Sequence, residues 1–391
     1  MHIDYNIETD RRNNHSTKWS EMDRLYSRDD LLPMWVADMD IKCAPEIVEA
    51  LQEKASQAIY GYVYRPKSYF QSAIDWTEKK FGYKMDYESM AHCSGVVPSM
   101  SYCIQLFTQP GDQVIIQSPV YYPFYSIING AGREVCESPL QWDEANEKFV
   151  MDFEDFEKKC SSPKATAFLL CSPHNPAMRV WTQDELSKMA DICLRHNVRI
   201  FTDEIWRDFI HTGHKHIPIA SLGQDVEQIT ITGFSPSKAF NLAGLQASYV
   251  ALPNKEDHKK YMNFLDYQLL KRNNAFSVVA TEVAYAKCGY WLDGLIEHVE
   301  GNVKYIADFV RENIPGVKPI IPEATYLMMF DCRSLGLGNE ELAQRIEDIA
   351  RLALDHGHWF GKASAGYERI NLGCPRATVE KAAEGLKRAL A

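Results

Sequence analysis

The segment Ser235-Pro-Ser-Lys-Ala-Phe-Asn-Leu-Ala-Gly-Leu245 follows the β-branched run Gln-Ile-Thr-Ile-Thr, which ends at Thr232. It places Lys238 just past a predicted strand, and the carboxyl ends of strands are where an α/β sheet forms its ligand crevice. Phe240 and Leu242 would surround the amine with apolar groups, which lowers the pKa of a lysine and makes it nucleophilic. The segment therefore indicates a site at which Lys238 forms a Schiff base. The alternative is that Lys238 is an ordinary solvated surface lysine. Residues elsewhere in the chain that could act together with Lys238 decide between the two interpretations.

Two polar residues follow other predicted strands and would face the same crevice. Asp203 comes after the strand 198–202, and a carboxylate there can hold a protonated ring nitrogen. Its alternative role is that of a helix N-cap, which aspartate often fills. Asn175 lies between two prolines after the strand 166–171, in a rigid turn, and forming that turn is its own alternative role.

Three further features complete the set of candidates. Gly95 precedes a helix predicted over residues 99–107, and the free backbone N–H groups at such a turn form a phosphate cradle. Tyr121 or Tyr122 follows a strand and can stack on a planar ring. Arg369 lies in a strand-like run, where it suits bidentate capture of a carboxylate, against the alternative of a surface ion pair.

Composition limits the classes of protein to which the chain can belong. Apolar residues make up 46% and charged residues 24%, as in ordinary soluble globular proteins, and no apolar run approaches the roughly 20 residues that span a bilayer. The net charge of −11 argues against a nucleic-acid surface. We therefore expect a small-molecule substrate, with no membrane and no nucleic acid as partners.

The expected compartment follows from the N-terminus and the cysteines. The first residues are polar and lack a basic segment followed by an apolar one, so no secretory signal is predicted and a cytoplasmic location is expected. The 10 cysteines form no C-x-x-C pair and lie mostly in apolar segments, which predicts reduced, buried thiols and no structural metal site.

Regular βα alternation from Met90 onward predicts an α/β fold. A mostly parallel, seven-stranded sheet between helices is expected, with strands at 91–93, 113–117, 133–136, 166–171, 198–202, 228–232 and 247–251. A long helix over 255–289 and another over 291–313 lead into a smaller α+β domain. The predicted division is an N-terminal arm and start of the small domain at 1–45, a large domain at 46–285 and a C-terminal small domain at 286–391. Residues 1–30 are interpreted as an arm that packs on a neighbour, and disorder is the alternative.

The candidates occur in the order Gly95, Tyr121, Asn175, Asp203, Lys238, Arg369, and in this order the chain resembles the fold type I pyridoxal-phosphate enzymes of the class I/II aminotransferase family. The resemblance covers the chain from about Leu31 to the C-terminus. It is greatest to the MalY/PatB group of cystathionine β-lyases and cysteine-S-conjugate β-lyases. The motifs that carry it are Trp-Val-Ala-Asp-Met-Asp at 35–40, Tyr-Gly-Tyr at 60–62, Gly-Val-Val-Pro at 95–98, Ser-Pro-His-Asn-Pro at 172–176, Arg-Val-Trp-Thr at 179–182, Ser-Lys-x-Phe-Asn-x-Ala-Gly-Leu at 237–245 and Asn-x-x-Cys-Pro-Arg at 371–376.

The resemblance implies a role for each candidate toward pyridoxal 5'-phosphate. Lys238 would bind the cofactor covalently and later act as the base at the substrate's Cα, while Asp203 would keep the pyridine nitrogen protonated, so that the ring serves as an electron sink. The remaining implied contacts are Asn175 with the phenolic oxygen, Tyr121 with the ring face, Trp206 beside the ring, and Gly95, Val96, Val97, Ser235 and Ser237 with the phosphate. Arg369, with the backbone at Ala37 and with Asn175, would bind the substrate. Tyr62 would reach the phosphate from the other subunit of a homodimer.

The sequence departs from the group mainly around the substrate. The group usually has a glycine before Arg179, where this chain has Met178, and a histidine at the position of Trp206. It usually has a threonine at the position of Ala239 and a glycine at the position of Ser364. Gln246 occupies the position at which many aminotransferases carry an arginine. Met178 is not expected to keep a positive φ easily. If Met178 and Trp206 line the site, they shift preference toward an apolar or aromatic β substituent. The alternative is that both fill core space.

These observations favour a β-lyase that cleaves cystathionine or an L-cysteine S-conjugate to a thiol, pyruvate and ammonia. An aminotransferase that uses a 2-oxo acid is the alternative enzyme, because it needs the same lysine, aspartate and arginine. A regulatory protein that retains the fold and binds a partner through its surface is a third possibility, since function resides in the site rather than in the fold.

We predict that Asp203→Asn abolishes most activity while the cofactor still binds. The amide retains a carbonyl acceptor but removes the charge that keeps the ring nitrogen protonated, and the phosphate contacts remain. Steady-state rates and the visible absorption of the bound cofactor measure the two effects. Activity near that of the wild type would refute the assigned role.

Overall fold

The computed structural model describes residues 3–391. Its helices are α1 Thr17–Ser20, α2 Met22–Tyr26, α3 Pro45–Ser56, α4 Lys67–Phe81, α5 Val96–Phe107, α6 Pro123–Gly130, α7 Phe153–Cys160, α8 Gln183–Arg195, α9 Gln224–Ile229, α10 Lys255–Tyr267, α11 Ala275–Lys287, α12 Gly289–Asn313, α13 Asn339–Gln344 and α14 Arg376–Leu390. A π-helix at Arg345–Ala350 continues α13.

The strands form two main sheets and two further pairs of strands. They are β1 Leu32–Pro33, β2 Met90–Cys93, β3 Gln113–Ile116, β4 Glu134–Glu137, β5 Gln141–Asp143, β6 Lys148–Val150, β7 Ala165–Cys171, β8 Arg199–Asp203, β9 Thr230–Phe234, β10 Ser248–Ala251, β11 Lys318–Ile320, β12 Leu327–Asp331, β13 Leu352–Ala353, β14 Asp355–His356 and β15 Tyr367–Asn371. The large sheet has seven strands in the order β2-β10-β9-β8-β7-β3-β4, and the small one has four in the order β11-β12-β15-β14. β1 pairs with β13, and β5 pairs with β6.

The α/β fold is confirmed, because the large sheet contains the seven predicted strands. β10 runs antiparallel to both of its neighbours, while the other pairings are parallel. The strand predicted over 228–232 begins at Thr230, since residues 224–229 form α9. The central strands β7, β8 and β9 are almost wholly buried, as expected for parallel strands covered by helices on both faces.

Two helix predictions are corrected. The single helix expected over 255–289 is divided into α10 and α11, because Asn274 begins a new helix by accepting a hydrogen bond from the backbone N–H of Phe276. The helix expected from Ser99 begins instead at Val96, with Gly95 as its N-cap. This second difference moves the helix N-terminus onto the glycine turn.

The fold brings the candidate residues to one edge of the large sheet. Asp203 is the last residue of β8, Lys238 lies in the turn after β9, and Arg369 projects from β15 of the small sheet. The division of the chain at 45 and 285 stays a prediction. No helix within residues 3–391 is both long enough and apolar enough to cross a membrane. All ten cysteines are free thiols, and only Cys43 is partly exposed.

Candidate active site

A cavity of about 210 Å³ lies at this edge of the sheet. Most of the residues predicted from the sequence line it: Ala37, Gly95, Val96, Val97, Tyr121, Asn175, Asp203, Trp206, Ser237, Lys238 and Arg369. Its lining also includes Tyr122, the alternative to Tyr121 as a ring-stacking residue, and two polar residues that sequence reasoning did not assign to the site, Ser94 and Asp355. Ser235 and Tyr62 do not line it.

Lys238 is half-buried and holds its amine against one backbone oxygen. Its Nζ donates to the carbonyl oxygen of Ala37 at 2.6 Å, and the hydroxyl of Tyr326 donates to the same oxygen at 2.9 Å. Burial lowers the pKa of Lys238 to about 8; the charge of Asp38 opposes this fall and that of Arg369 adds to it. This is the direction that the sequence predicts, and the role of Lys238 stays a prediction. A pKa near 8 leaves roughly one-tenth of the amine unprotonated at pH 7, and that fraction is nucleophilic.

Asp203 presents a carboxylate to the cavity from the end of β8. Its Oδ1 accepts from the backbone N–H of Ile205 at 3.0 Å, and Oδ2 has no hydrogen-bond partner within residues 3–391. Burial raises the pKa of Asp203 to about 7, against the opposing effects of the Ile205 N–H and of Lys238. Residues 204–208 form turns rather than a helix, so the N-cap alternative is wrong. A cation placed at Oδ2 would restore the ionised form.

The N-terminus of α5 forms the end of the cavity that suits an anion. Gly95, Val96 and Val97 lie in its first turn, where backbone N–H groups have no partners within the helix. Ser237 lines the same cavity. Ser235 is different: its hydroxyl donates to the carbonyl oxygen of Ala247 at 2.6 Å and accepts from the N–H of Ser237 at 3.0 Å. Ser235 therefore holds the turn together and does not face the cavity.

Arg369 is only 2% exposed and is held from two sides. Its Nη1 donates to Oδ1 of Asn175 at 2.7 Å, and its Nη2 pairs with the carboxylate of Asp355. The ring of Phe360 covers the guanidinium, 4.5 Å from its carbon, and Nε is buried without a partner. The surface ion-pair alternative is therefore wrong. Nη1 and Nη2 each carry a second N–H, so an arginine that lines a cavity in this way is suited to an incoming carboxylate.

Asp355 is the residue at the site that sequence reasoning missed most clearly. It follows an apolar run, Leu352-Ala-Leu354, and so resembles a strand residue that packs in a core. The register of β14 against β15 sets it opposite Arg369. A lone acid at the end of an apolar run was the only available signal, and it did not identify the partner.

The N-terminal arm packs on the loop of its own chain that carries Ala37 and holds it in place. Arg11 donates to Asp38 at 2.9 Å and to Asp40 at 2.7 Å, and the buried amine of Lys18 donates to Asp40 at 2.6 Å. Burial alone would raise the pKa of Asp40, but Lys18 and the other donors lower it. These contacts within the chain fix the loop that carries Ala37, and packing of the arm on a neighbour stays a prediction.

The two departures that were expected to reshape the site differ in position. Trp206 lines the cavity, with its ring 4.8 Å from that of Tyr326 and 5.8 Å from the amine of Lys238. Met178 is 1% exposed, packs in the core and does not line the cavity. The expectation that Met178 would lose a positive φ is wrong: its φ is 54°, and its carbonyl accepts from the N–H of Glu323 at 3.0 Å. Packing and this hydrogen bond hold the strained conformation.

The other departures have local explanations. Ala239 is buried in the core, and the hydroxyl of Ser364 donates to the carbonyl oxygen of Gly357 at 2.6 Å, so neither reaches the cavity. Gln246 does line the cavity and has a φ of 51°. Tyr62 is 91% exposed, and the guanidinium of Arg272 lies 4.2 Å from its ring centre.

Comparison with known proteins places the chain in a family. Residues 31–386 match the family described as Aminotransferase class I and II. The chain belongs to the class I and II aminotransferase family. Within the family it is similar to cystathionine beta-lyase PatB of Bacillus subtilis (strain 168), with 39% identity over 388 residues that cover 99% of this chain and 100% of the relative.

Solved structures of this family agree with the fold along its whole length. The PLP-bound putative aminotransferase from Clostridium difficile 630 has a TM-score of 0.98 at 45% identity, and each chain covers 100% of the other. The PLP-bound C-S lyase from Staphylococcus hominis has a TM-score of 0.93 at 28% identity, with 100% of this chain and 99% of that chain covered. The resemblance to fold type I pyridoxal-phosphate enzymes is therefore confirmed.

We predict that Trp206→His changes substrate preference and that Met178→Gly does not. Only Trp206 borders the cavity, and changed apolar contacts alter discrimination by roughly ten- to two-hundredfold. Met178→Gly should instead lower the free energy of unfolding by about 2–5 kcal/mol, because it leaves a cavity in the core. The loss is reduced in part, because glycine adopts a positive φ without strain.

A panel of S-alkyl and S-aryl cysteines beside cystathionine, combined with chemical denaturation, separates the two effects. An altered rank order in Met178→Gly, or an unaltered one in Trp206→His, would contradict the assignment.

Proposed function

We propose that this chain is a pyridoxal-phosphate-dependent carbon–sulfur β-lyase. It converts cystathionine or an L-cysteine S-conjugate, with one water, into a thiol, pyruvate and ammonia. The observation that carries the proposal is the full-length similarity to cystathionine beta-lyase PatB in a chain whose lysine, aspartate and arginine share one cavity. The similarity to the C-S lyase from Staphylococcus hominis supports the same chemistry.

The chemistry of the cavity walls fits pyridoxal 5'-phosphate. The free Oδ2 of the buried Asp203 suits a protonated pyridine nitrogen, and the first turn of α5 with Ser237 suits the phosphate. Tyr121 would stack on the ring, and the amide nitrogen of Asn175, which has no partner within residues 3–391, would donate to the phenolic oxygen. When bound, the cofactor supplies the electron sink that makes the substrate's Cα proton acidic.

The protein's own groups would divide the remaining work. Arg369, through the second N–H groups of Nη1 and Nη2, would bind the α-carboxylate and thereby fix the orientation of the Cα–H bond. Lys238, with its lowered pKa, takes the proton from Cα as general base. The hydrogen bond from Lys238 to Ala37 keeps the amine at one position, and the burial of Trp206 and Tyr326 excludes water from that side of the amine. Expulsion of the β-thiolate completes the elimination.

An aminotransferase is the alternative, and one observation favours it. The solved structure at 45% identity is described as a putative aminotransferase. Both reactions begin with loss of the Cα proton and differ in whether the β substituent then leaves. Gln246, where many aminotransferases of this fold carry arginine, fits the lyase better.

Incubation with cystathionine and no 2-oxo acid should yield pyruvate and free thiol in equal amounts. Coupled reduction of pyruvate and a colorimetric thiol reagent measure the two products. Lys238→Ala should lose activity by at least roughly 10²-fold, since general base catalysis contributes that much. Lys215→Ala, which removes an exposed lysine, is the matched control and should leave the rate unchanged. Strict dependence on a 2-oxo acid would overturn the lyase in favour of the aminotransferase.

We also propose that the enzyme is a homodimer in which Tyr62 reaches the partner's phosphate. Large apolar side chains are exposed on two adjacent segments: Ile59, Tyr60, Tyr62 and Tyr64 on the first, and Tyr267 and Leu269 on the second. Arg65 joins the segments by donating to Asn273 at 2.8 Å. Exposed apolar patches of this kind mark protein interfaces. A cytoplasmic location also stays a prediction.

Leu269→Glu combined with Tyr64→Glu should shift the protein from dimer to monomer and lower its activity, because buried unpaired charges oppose association. Sedimentation velocity measures the mass, and Ile349→Glu, at an exposed isoleucine elsewhere, is the matched control. A monomeric wild type that is fully active would overturn the proposed dimer.

A further inference from the structure

Asp355 offers the cavity a carboxylate oxygen that the described reaction does not use. The side chain is 2% exposed, lines the cavity and pairs with Arg369 through Oδ2. Its Oδ1 has no hydrogen-bond partner anywhere in residues 3–391. Buried carboxylate oxygens in folded proteins are normally satisfied, so an unpaired one at a cavity wall is suited to a donor from a ligand.

The position of Asp355 relative to Arg369 indicates which part of a substrate it meets. Tyr122, which is 40% exposed, stands at the mouth of the cavity. Burial raises the pKa of Tyr122, and the nearby charge of Asp355 raises it further. The ring of Tyr122 lies 5.9 Å from that of Phe360, which covers the Arg369 guanidinium, so Tyr122 and Asp355 both lie beside Arg369 at the cavity wall. A substituent that extends from a substrate held by Arg369 would therefore lie near Asp355 and Tyr122.

Within residues 3–391 only Arg369 hydrogen-bonds to Asp355, and the neighbouring His356 acts on it through charge alone. The next residue, His356, points to the opposite face of the small sheet, where its ring contacts Glu368 at 2.9 Å and Glu347 at 3.1 Å. Arg369 is therefore the only cation that hydrogen-bonds to Asp355 within residues 3–391. The pair is neutral by itself, so its charge balance depends on what else binds.

Binding of an amino-acid substrate changes this balance. The α-carboxylate joins Arg369, so that two carboxylates share one guanidinium and the group carries a net negative charge. A cation or a hydrogen-bond donor on the substrate's outer end would relieve that charge. A second carboxylate there would instead bring three negative groups around one arginine in a buried site, which is unfavourable.

We propose that Asp355 is a specificity-determining residue that selects S-substituents carrying a cation or a hydrogen-bond donor, such as the distal ammonium group of cystathionine, and rejects those whose only charged group is a carboxylate. This inference rests on the proposed lyase function and specifies its substrate class. It complements Trp206, which acts on the shape of the substituent, whereas Asp355 acts on its charge.

Three L-cysteine conjugates of similar length test the proposal: S-(2-aminoethyl), S-propyl and S-carboxymethyl cysteine. The wild-type holoenzyme should give kcat/KM values, from pyruvate release, in the order cationic, neutral, anionic. The cationic conjugate should exceed the anionic one by at least about tenfold, since like charges placed together are strongly unfavourable. In Asp355→Asn the ratio should fall toward one, and Asp355→Glu should retain the order.

Asp331→Asn is the matched control, because Asp331 is a buried carboxylate of the same sheet that pairs with Arg333, 2.7 Å away and outside the cavity. It should leave the ratio unchanged. Equal losses for all three conjugates in Asp355→Asn would show that Asp355 only positions Arg369, and would overturn the proposal. A wild type that does not distinguish the three conjugates would also overturn it, whether or not the variants fold.

Failure of the lyase function itself gives a different result. In that case no conjugate releases pyruvate, but each still binds to the cofactor-loaded enzyme. The dissociation constants, measured from the change in visible absorption, should then follow the same order in the wild type and lose it in Asp355→Asn. Equal dissociation constants in the wild type would overturn the role of Asp355 independently of catalysis.

Discussion

The hydrogen bond from the amine of Lys238 to the carbonyl oxygen of Ala37 joins the parts of the chain that form the site. Lys238 belongs to the turn after β9, and Ala37 belongs to the loop held by the N-terminal arm. Tyr326, which directly precedes β12 of the small sheet, donates to the same oxygen. One backbone acceptor therefore fixes the lysine, the loop and the small sheet together. A buried amine needs such a partner, because an unsatisfied buried donor is costly.

The rest of the N-terminal loop is built to keep that acceptor in place. Asn241 donates to the carbonyl oxygens of Met39 and Ile41 at 2.9 Å each, and so ties the loop to the lysine segment. Asn371 donates to the carbonyl oxygen of Asp38 at 2.6 Å from the end of β15. The loop is thus held by three separate regions of sequence. This explains why the Trp-Val-Ala-Asp-Met-Asp motif and the distant Asn-x-x-Cys-Pro-Arg motif occur in the same chain.

The cavity balances two cations against two carboxylates at low exposure. Lys238 and Asp203 have pKa values moved toward neutrality, to about 8 and about 7, in both cases mainly by burial. Arg369 and Asp355 form the second pair. Small changes in bound charge therefore alter the protonation of the first pair, which suits proton transfer. The second pair responds to the charge of the substrate, which suits selection.

The sequence by itself determined the α/β fold, the seven strands of the large sheet and the placement of Asp203 and Lys238, because strand ends and hydrophobic alternation are local properties of a chain. Only the tertiary structure decided which side chains face the cavity. The register of β14 and β15 places Asp355 opposite Arg369. Met178 packs in the core, although Asn175, three residues earlier, lines the cavity. Register and side-chain direction depend on packing between distant segments, and no local pattern in the sequence records them.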